Sequence, residues 1–181
     1  MTKISSSPLN TSPTLSLILG GARSGKSGYA EQLAKDSGLP VTYVATAQAF
    51  DEEMSQRIKK HQLDRPDHWQ SIEVPTQLPA IIKKHGNQGV VLVDCLTLWL
   101  MNLLHEELEV HQYVNDLLEA LAQIKGNVIL VSNEISMGVV PMGEMSRLYV
   151  DELGRMHQKI AKQATNVTLM VAGLPMTVKN T

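Results

Sequence analysis

The sequence predicts an α/β fold built on a mostly parallel central sheet, and three observations carry that expectation. Apolar, β-branched runs alternate with stretches of good helix formers from Leu15 to Ala172, the pattern of strand–helix–strand units sharing one sheet. The first run, Leu15-Ser16-Leu17-Ile18-Leu19, passes directly into Gly20-Gly21-Ala22-Arg23-Ser24-Gly25-Lys26-Ser27, which fits the phosphate-binding loop G-x-x-x-x-G-K-[ST]. A later run, Val90-Val91-Leu92-Val93-Asp94, ends on an acid. That is the form of a central strand with a Walker-B aspartate at its tip.

The elements follow in order. Residues 1–14 are rich in Ser, Thr, Pro and Asn and read as a disordered lead, with residues 15–181 as a single domain. The first strand and the glycine loop lead into a helix through Tyr29-Ala30-Glu31-Gln32-Leu33-Ala34-Lys35, which stops near Ser37-Gly38-Leu39-Pro40. Val41 to Thr46 is β-branched and aromatic, a second strand. Phe50 to Leu63 opens with Asp51, Glu52 and Glu53 and carries Arg57, Lys59, Lys60 and His61 later, a charge order that suits a helix dipole.

Arg65-Pro66-Asp67 breaks the chain before a short strand from Trp69 to Val74. A helix from Leu78 to His85 leads into the strand ending at Asp94, and helices are expected over Leu96–His105 and Gln112–Ile124. Val128 to Ser132 is another buried strand. A Met/Gly loop from Asn133 to Met145 precedes a long helix from Arg147 to Thr165, and Val167 to Ala172 is expected to close the sheet.

Composition excludes several classes. The 181 residues carry a net charge of −2 with acids and bases mixed, so no basic patch points to nucleic acid. The apolar stretch from Val90 to Leu104 is interrupted by Asp94, Thr97 and Asn102, which argues against a membrane span. The single Cys95 rules out an internal disulfide and suits a reducing cytoplasm.

Phosphate binding needs these residue types at this spacing. Gly20 and Gly25 lack a Cβ and tolerate positive φ, so the backbone can wrap a phosphate chain closely. The loop N–H groups and the start of the following helix present positive charge to the anion. Lys26 is expected to reach the β- and γ-phosphates, and Ser27 to offer its hydroxyl to Mg²⁺. Asp94 is expected to hold the same ion through a water; capping the helix at Leu96 is its alternative role. Parallel sheets bind ligands beyond their carboxyl ends, which also singles out Ala45, Thr46 and Ala47 after the second strand and Asn133-Glu134 after the fifth. A plain turn is the alternative for either.

Among the six histidines, His61 lies one helical turn after Arg57, so both share a face, and Arg65 follows closely. A neutral imidazole beside arginines can attack phosphorus while the cations stabilise the phosphate charge. Position alone favours a plainer role, a surface histidine that compensates a helix dipole. His68, His85, His105, His111 and His157 take that reading too. Cys95 reads as a packing residue, and Trp99, Leu100, Leu103 and Leu104 as core or subunit contact.

Several segments together resemble one family. They are the glycine loop at 20–27, Tyr43-Val44-Ala45-Thr46-Ala47, Asp51-Glu52-Glu53-Met54 with Arg57-Ile58-x-x-His61, and Arg65-Pro66 with Trp69 through Glu73. They continue as Val93-Asp94-Cys95-Leu96-Thr97-Leu98-Trp99, Ser132-Asn133-Glu134 and Met137-Gly138-Val139-Val140-Pro141. The chain resembles the bifunctional adenosylcobinamide kinase / adenosylcobinamide-phosphate guanylyltransferase family of cobalamin synthesis.

That resemblance implies a RecA-like, three-layer P-loop fold and reverses the reading of His61. In the family this histidine takes GMP from GTP as a covalent phosphoramidate. The implied catalytic residues are His61 and Lys26. The implied nucleotide-binding positions are Gly20, Gly21, Ala22, Arg23, Ser24, Gly25, Lys26, Ser27, Ala45, Thr46, Ala47, Gln62, Leu63, Asp64, Arg65, Glu73 and Asp94. Ser27 and Asp94 are the implied Mg²⁺ ligands.

GTP or ATP would phosphorylate the aminopropanol arm of adenosylcobinamide, and GTP would then supply GMP. The resemblance also implies a homo-oligomer, usually a trimer, with the active site near a subunit boundary. Two features depart from it: His157 stands where the family commonly has Asn, and the lead before Leu15 is longer than usual. A P-loop ATPase or GTPase switch acting on a protein partner, and a plain small-molecule kinase, are the competing readings. His61 separates both from the family, since neither needs it.

Overall fold

In the computed structural model, residues 13–48, 52, 56 and 66–181 are described. Their strands are β1 (Thr14–Gly20), β2 (Val41–Ala45), β3 (Gln70–Glu73), β4 (Val90–Asp94), β5 (Asn127–Asn133), β6 (Asn166–Val171) and β7 (Leu174–Asn180). They form one sheet in the order β3-β2-β4-β5-β1-β6-β7. Every neighbouring pair is parallel except β6 with β7. The helices are α1 (Lys26–Asp36), α2 (Leu78–His85), α3 (Leu96–His105), α4 (Val110–Ala122) and α5 (Glu144–Gln163).

The sheet is covered on both faces, and this explains the continuous apolar runs. A strand buried on both sides has no polar face to show, so alternation disappears. Val90, Val91, Leu92 and Val93 are all buried, yet successive residues enter opposite cores. Leu15, Leu17, Val91 and Val93 face the larger core with α2, α3, α4 and α5. Ile18, Val90 and Leu92 face the smaller one, where Ala30 and Ala34 of α1 pack. Small residues at 30 and 34 let α1 approach the sheet closely. The result is a three-layer α/β/α arrangement.

The expected elements are found with shifted ends. β1 begins at Thr14, inside the stretch expected to be a lead, and the Thr14 Oγ1 donates to Asn127 Oδ1 at 2.8 Å. α5 starts at Glu144, three residues before the expected Arg147. The helix expected over Phe50–Leu63 lies outside the described residues apart from Glu52 and Gln56, which are helical.

One expectation is corrected: β6 does not close the sheet. Ala172 and Gly173, with φ of 52° and 82°, form a two-residue turn into antiparallel β7. Positive φ at both central positions matches the twist of a hairpin. The strand escaped a sequence reading because it is an edge. It contains Pro175 and leaves Leu174, Met176 and Val178 exposed, so its pattern lacks the buried alternation that marks a strand.

Candidate active site

Strand register brings the predicted residues to one edge. Ala45 pairs with Glu73 on one side and with Asp94 on the other, so the tips of β3, β2 and β4 stand in a row. On the other side of β5, Gly20 ends β1 opposite Asn133. These are all carboxyl ends, where a parallel sheet opens a ligand crevice. Gly20 to Ser27, Ala45, Thr46, Ala47, Glu73 and Asp94 therefore lie along one rim. His61, Gln62, Leu63, Asp64 and Arg65, with Arg57, lie outside the described residues.

Gly20 and Gly25 of the loop are dictated by their surroundings and backbone conformation. A Cβ at Gly20 would stand 2.5 Å from Ser24 Oγ and 2.7 Å from the Met170 carbonyl oxygen. Gly25, at φ 91°, is the left-handed N-cap of α1, a conformation that disfavours a side chain. The Ser24 hydroxyl is buried without a hydrogen-bond partner among the described residues. The β6–β7 turn braces the loop from outside, through Gly173 N–H donating to the Ser24 carbonyl at 3.1 Å.

Lys26 opens α1, and its Nζ donates to the Gly21 carbonyl at 2.7 Å. The ammonium thus lies folded across its own loop, where it can exchange a carbonyl for a phosphate oxygen. Burial lowers its pKa, and the nearby Cys95 and Asp94 oppose that shift. Ser27 follows it at the loop's end. Asp94 is half-buried at the tip of β4, and its Oδ2 accepts a 3.1 Å hydrogen bond from the Tyr43 hydroxyl. It does not hold the N-cap of α3, which is Cys95. Burial, with the Asp94 charge adding to it, pushes the Cys95 thiol up to about 11, so Cys95 is an inert packing group.

Thr46 is fully buried and staples the end of β2 to the chain just beyond β4. Its Oγ1 donates to the Cys95 carbonyl at 2.7 Å and accepts from the Cys95 N–H at 2.9 Å. The neighbouring Asn133-Glu134 segment is anchored as well. Asn133 N–H donates to Thr97 Oγ1 at 2.7 Å, and Glu134 N–H donates to the Gly20 carbonyl at 2.9 Å. The Glu134 carboxylate accepts from Ser136 N–H at 2.6 Å, a local turn contact.

His157 is a correction. It is not a surface residue compensating a dipole: it is 8% exposed, and its Nε2 lies 2.8 Å from Ser132 Oγ. It sits on the inward face of α5 with Leu153, Met156 and Ile160, and burial lowers its pKa while the Glu134 charge opposes. Ser132 Oγ in turn lies 3.1 Å from Thr97 Oγ1, and Tyr149 donates to the Thr97 carbonyl at 2.9 Å. His85 and His105 do occupy the last turns of α2 and α3, and His111 stands 3.6 Å from Glu152.

Residues that sequence reasoning passed over are the supports: Tyr43, Thr97, Asn102, Ser132 and Tyr149. The available signal was polar residues inside apolar runs. Asn102 and Thr97 interrupt such a run and are buried, and buried polar groups are retained where they have partners.

Known proteins resemble this chain over nearly its whole length. Residues 16–178 match the family described as cobinamide kinase / cobinamide phosphate guanyltransferase. The bifunctional adenosylcobalamin biosynthesis protein CobP of Pseudomonas aeruginosa is 54% identical over 166 residues, covering 90% of this chain and 96% of that one. The corresponding protein CobU of Escherichia coli is 36% identical over 179 residues, covering 90% and 98%. In structure the chain is similar to the RadB recombinase, with a TM-score of 0.52 and 20% identity over 86% of this chain and 73% of that one. That likeness shows the RecA-like P-loop fold. The chain belongs to the cobinamide kinase / cobinamide phosphate guanyltransferase family.

Proposed function

We propose that a single nucleotide site serves both reactions of this family, kinase and guanylyltransferase, in adenosylcobalamin biosynthesis. The observation that carries this is the shared rim: one phosphate loop, with Ala45, Glu73 and Asp94 on adjoining strand ends. In the first reaction the γ-phosphoryl group of ATP or GTP passes to the hydroxyl of the aminopropanol arm of adenosylcobinamide. The hydroxyl proton is released and the nucleoside diphosphate leaves. Lys26 neutralises the charge that spreads over the phosphate oxygens.

In the second reaction His61 attacks the α-phosphorus of GTP, pyrophosphate leaves, and GMP is held as a phosphoramidate. A phosphate oxygen of adenosylcobinamide phosphate then attacks that phosphorus, giving adenosylcobinamide-GDP and free His61. The backbone at Gln62, Leu63, Asp64 and Arg65, together with Glu73 and the residues 45–47, is assigned to the guanine nucleotide.

Mg²⁺ fits the donors available. Ser27 and Asp94 offer one hydroxyl and one carboxylate, and no group of three or more His, Cys, Asp or Glu able to hold a metal occurs among the described residues. Mg²⁺ is held by few protein oxygens together with substrate phosphates. When bound it offsets phosphate charge. We further propose a homotrimer acting in the cytoplasm. No helix of the described residues is long and apolar enough to cross a membrane.

The switch reading loses its ground, because the family is one of enzymes acting on small molecules. The experiment is label transfer. With α-labelled GTP and adenosylcobinamide phosphate, label should enter the corrinoid product; label found only in free GDP or GMP would refute the transferase half.

A further inference from the structure

Helix α3 reaches three strand tips through one side chain. The Asn102 amide, 1% exposed, donates to the Thr46 carbonyl at 2.8 Å and to the Pro75 carbonyl at 3.0 Å. Thr46 leaves β2, and Pro75 leaves β3. Thr46 also grips both backbone groups of Cys95 just beyond β4, and its own N–H donates to the Asp94 carbonyl at 3.4 Å. The ends of β2, β3 and β4 are thereby tied together at one buried amide.

The residue type is informative. A primary amide has two N–H donors, and here both serve carbonyls of chain segments that have left the sheet ladder. A side chain that only filled space would be apolar, as its helix neighbours Leu100 and Leu103 are. The cost of burying an amide is offset only where its partners are fixed.

We propose that Asn102 is a positioning residue for the guanylyl-transfer step, holding the root of the chain that carries His61. This rests on the assignment of His61 given above. In the sequence, residues 49–65 join Thr46-Ala47-Gln48 to Pro66, so a shift at Thr46 moves the point from which that connection departs. The phosphoryl-transfer step draws on the P-loop and α1, whose Ala30 and Ala34 pack against the opposite face of the sheet from α3, and on Asp94, which the ladders of β4 with β2 and β5 hold without Asn102. The two activities therefore differ in how much they need Asn102.

The test measures two rates on each variant: covalent GMP adduct formed from α-labelled GTP, and phosphorylation of adenosylcobinamide by ATP. Asn102→Ala should lower adduct formation about tenfold or more relative to phosphorylation, since small misplacements of a reacting group cost that much or more. Trp99→Phe is the comparator. It removes the 2.7 Å bond from Trp99 Nε1 to the Thr76 carbonyl on the same buried helix, and should leave the ratio of the rates at the wild-type value. Hydrogen exchange at the Thr46 amide should quicken in Asn102→Ala while α1 stays protected.

If Asn102→Ala does not fold, Asn102→Ser keeps one donor and should shift the ratio in the same direction by less. A ratio unchanged in the Asn102 variants, or lowered equally by Trp99→Phe, overturns the proposal. A wild-type chain that forms no adduct overturns the His61 assignment itself. The Thr46 exchange then still reports whether Asn102 holds that loop.

Discussion

The Tyr43 hydroxyl donates a 3.1 Å hydrogen bond to Oδ2 of Asp94, across two adjoining strands of the sheet. One carboxylate oxygen is thus occupied by the protein, and the orientation of the group is set by an aromatic ring in the smaller core. Under the Mg²⁺ assignment proposed above, the other oxygen serves the cation or its water. Tyr43→Phe should keep the fold and raise the Mg²⁺ concentration needed for half-maximal turnover about tenfold, the scale of losing an outer-sphere partner. Asp94→Asn should do more, because the charge itself is removed. Metal titrations of phosphorylation check both. Unchanged metal dependence in Asp94→Asn would remove Asp94 from the site.

Lys26 holds the Gly21 carbonyl with the amine assigned above, as a proposal, to the nucleotide. Lys26→Ala should therefore weaken triphosphate binding and lower both activities together, by about a hundredfold in turnover. Steady-state kinetics of each half-reaction give the answer. Retention of normal phosphorylation would contradict the phosphate-loop assignment.

His157 makes a prediction in pH. Its folded pKa lies below the ordinary 6.5 because it is buried. As pH falls through 6.5, the unfolded chain takes up a proton that the folded chain refuses, so stability is lost from there downward to the lowered folded value. Above 6.5 this contribution is constant. His157→Asn should flatten the loss of stability between pH 6.5 and more acid conditions. At neutral pH it should cost about 1 kcal/mol if its contact with Ser132 is not remade. Urea unfolding at several pH values would show it, and an equal acid sensitivity in both proteins would contradict the burial argument.

The sequence made the architecture legible where hydrophobicity and punctuation agree. Val90–Asp94 and Leu78–His85 were read to the residue because apolar runs end there at an acid and at a cluster of bases. The phosphate loop was legible because Gly20 is required by contacts as close as 2.5 Å and Gly25 by its φ of 91°. β7 was not, since an exposed edge strand carries no burial pattern. Nor were Asn102 and His157, because a polar residue on an inward helix face is recognised only once its partner is known. Thr46, Ser132 and Pro75 come from other strands and loops, so no local spacing announces those pairs.

The guanylyltransferase half of the proposal requires that His61 carry GMP. The direct measurement is acid and base treatment of the protein after incubation with α-labelled GTP, in the wild type and in His61→Ala. The wild type should retain label that is lost in acid and stable in base, as a phosphoramidate is. His61→Ala should retain none while still phosphorylating adenosylcobinamide. A His61→Ala protein that still forms the acid-labile adduct at the full rate would contradict the account, with His68 the next residue to replace.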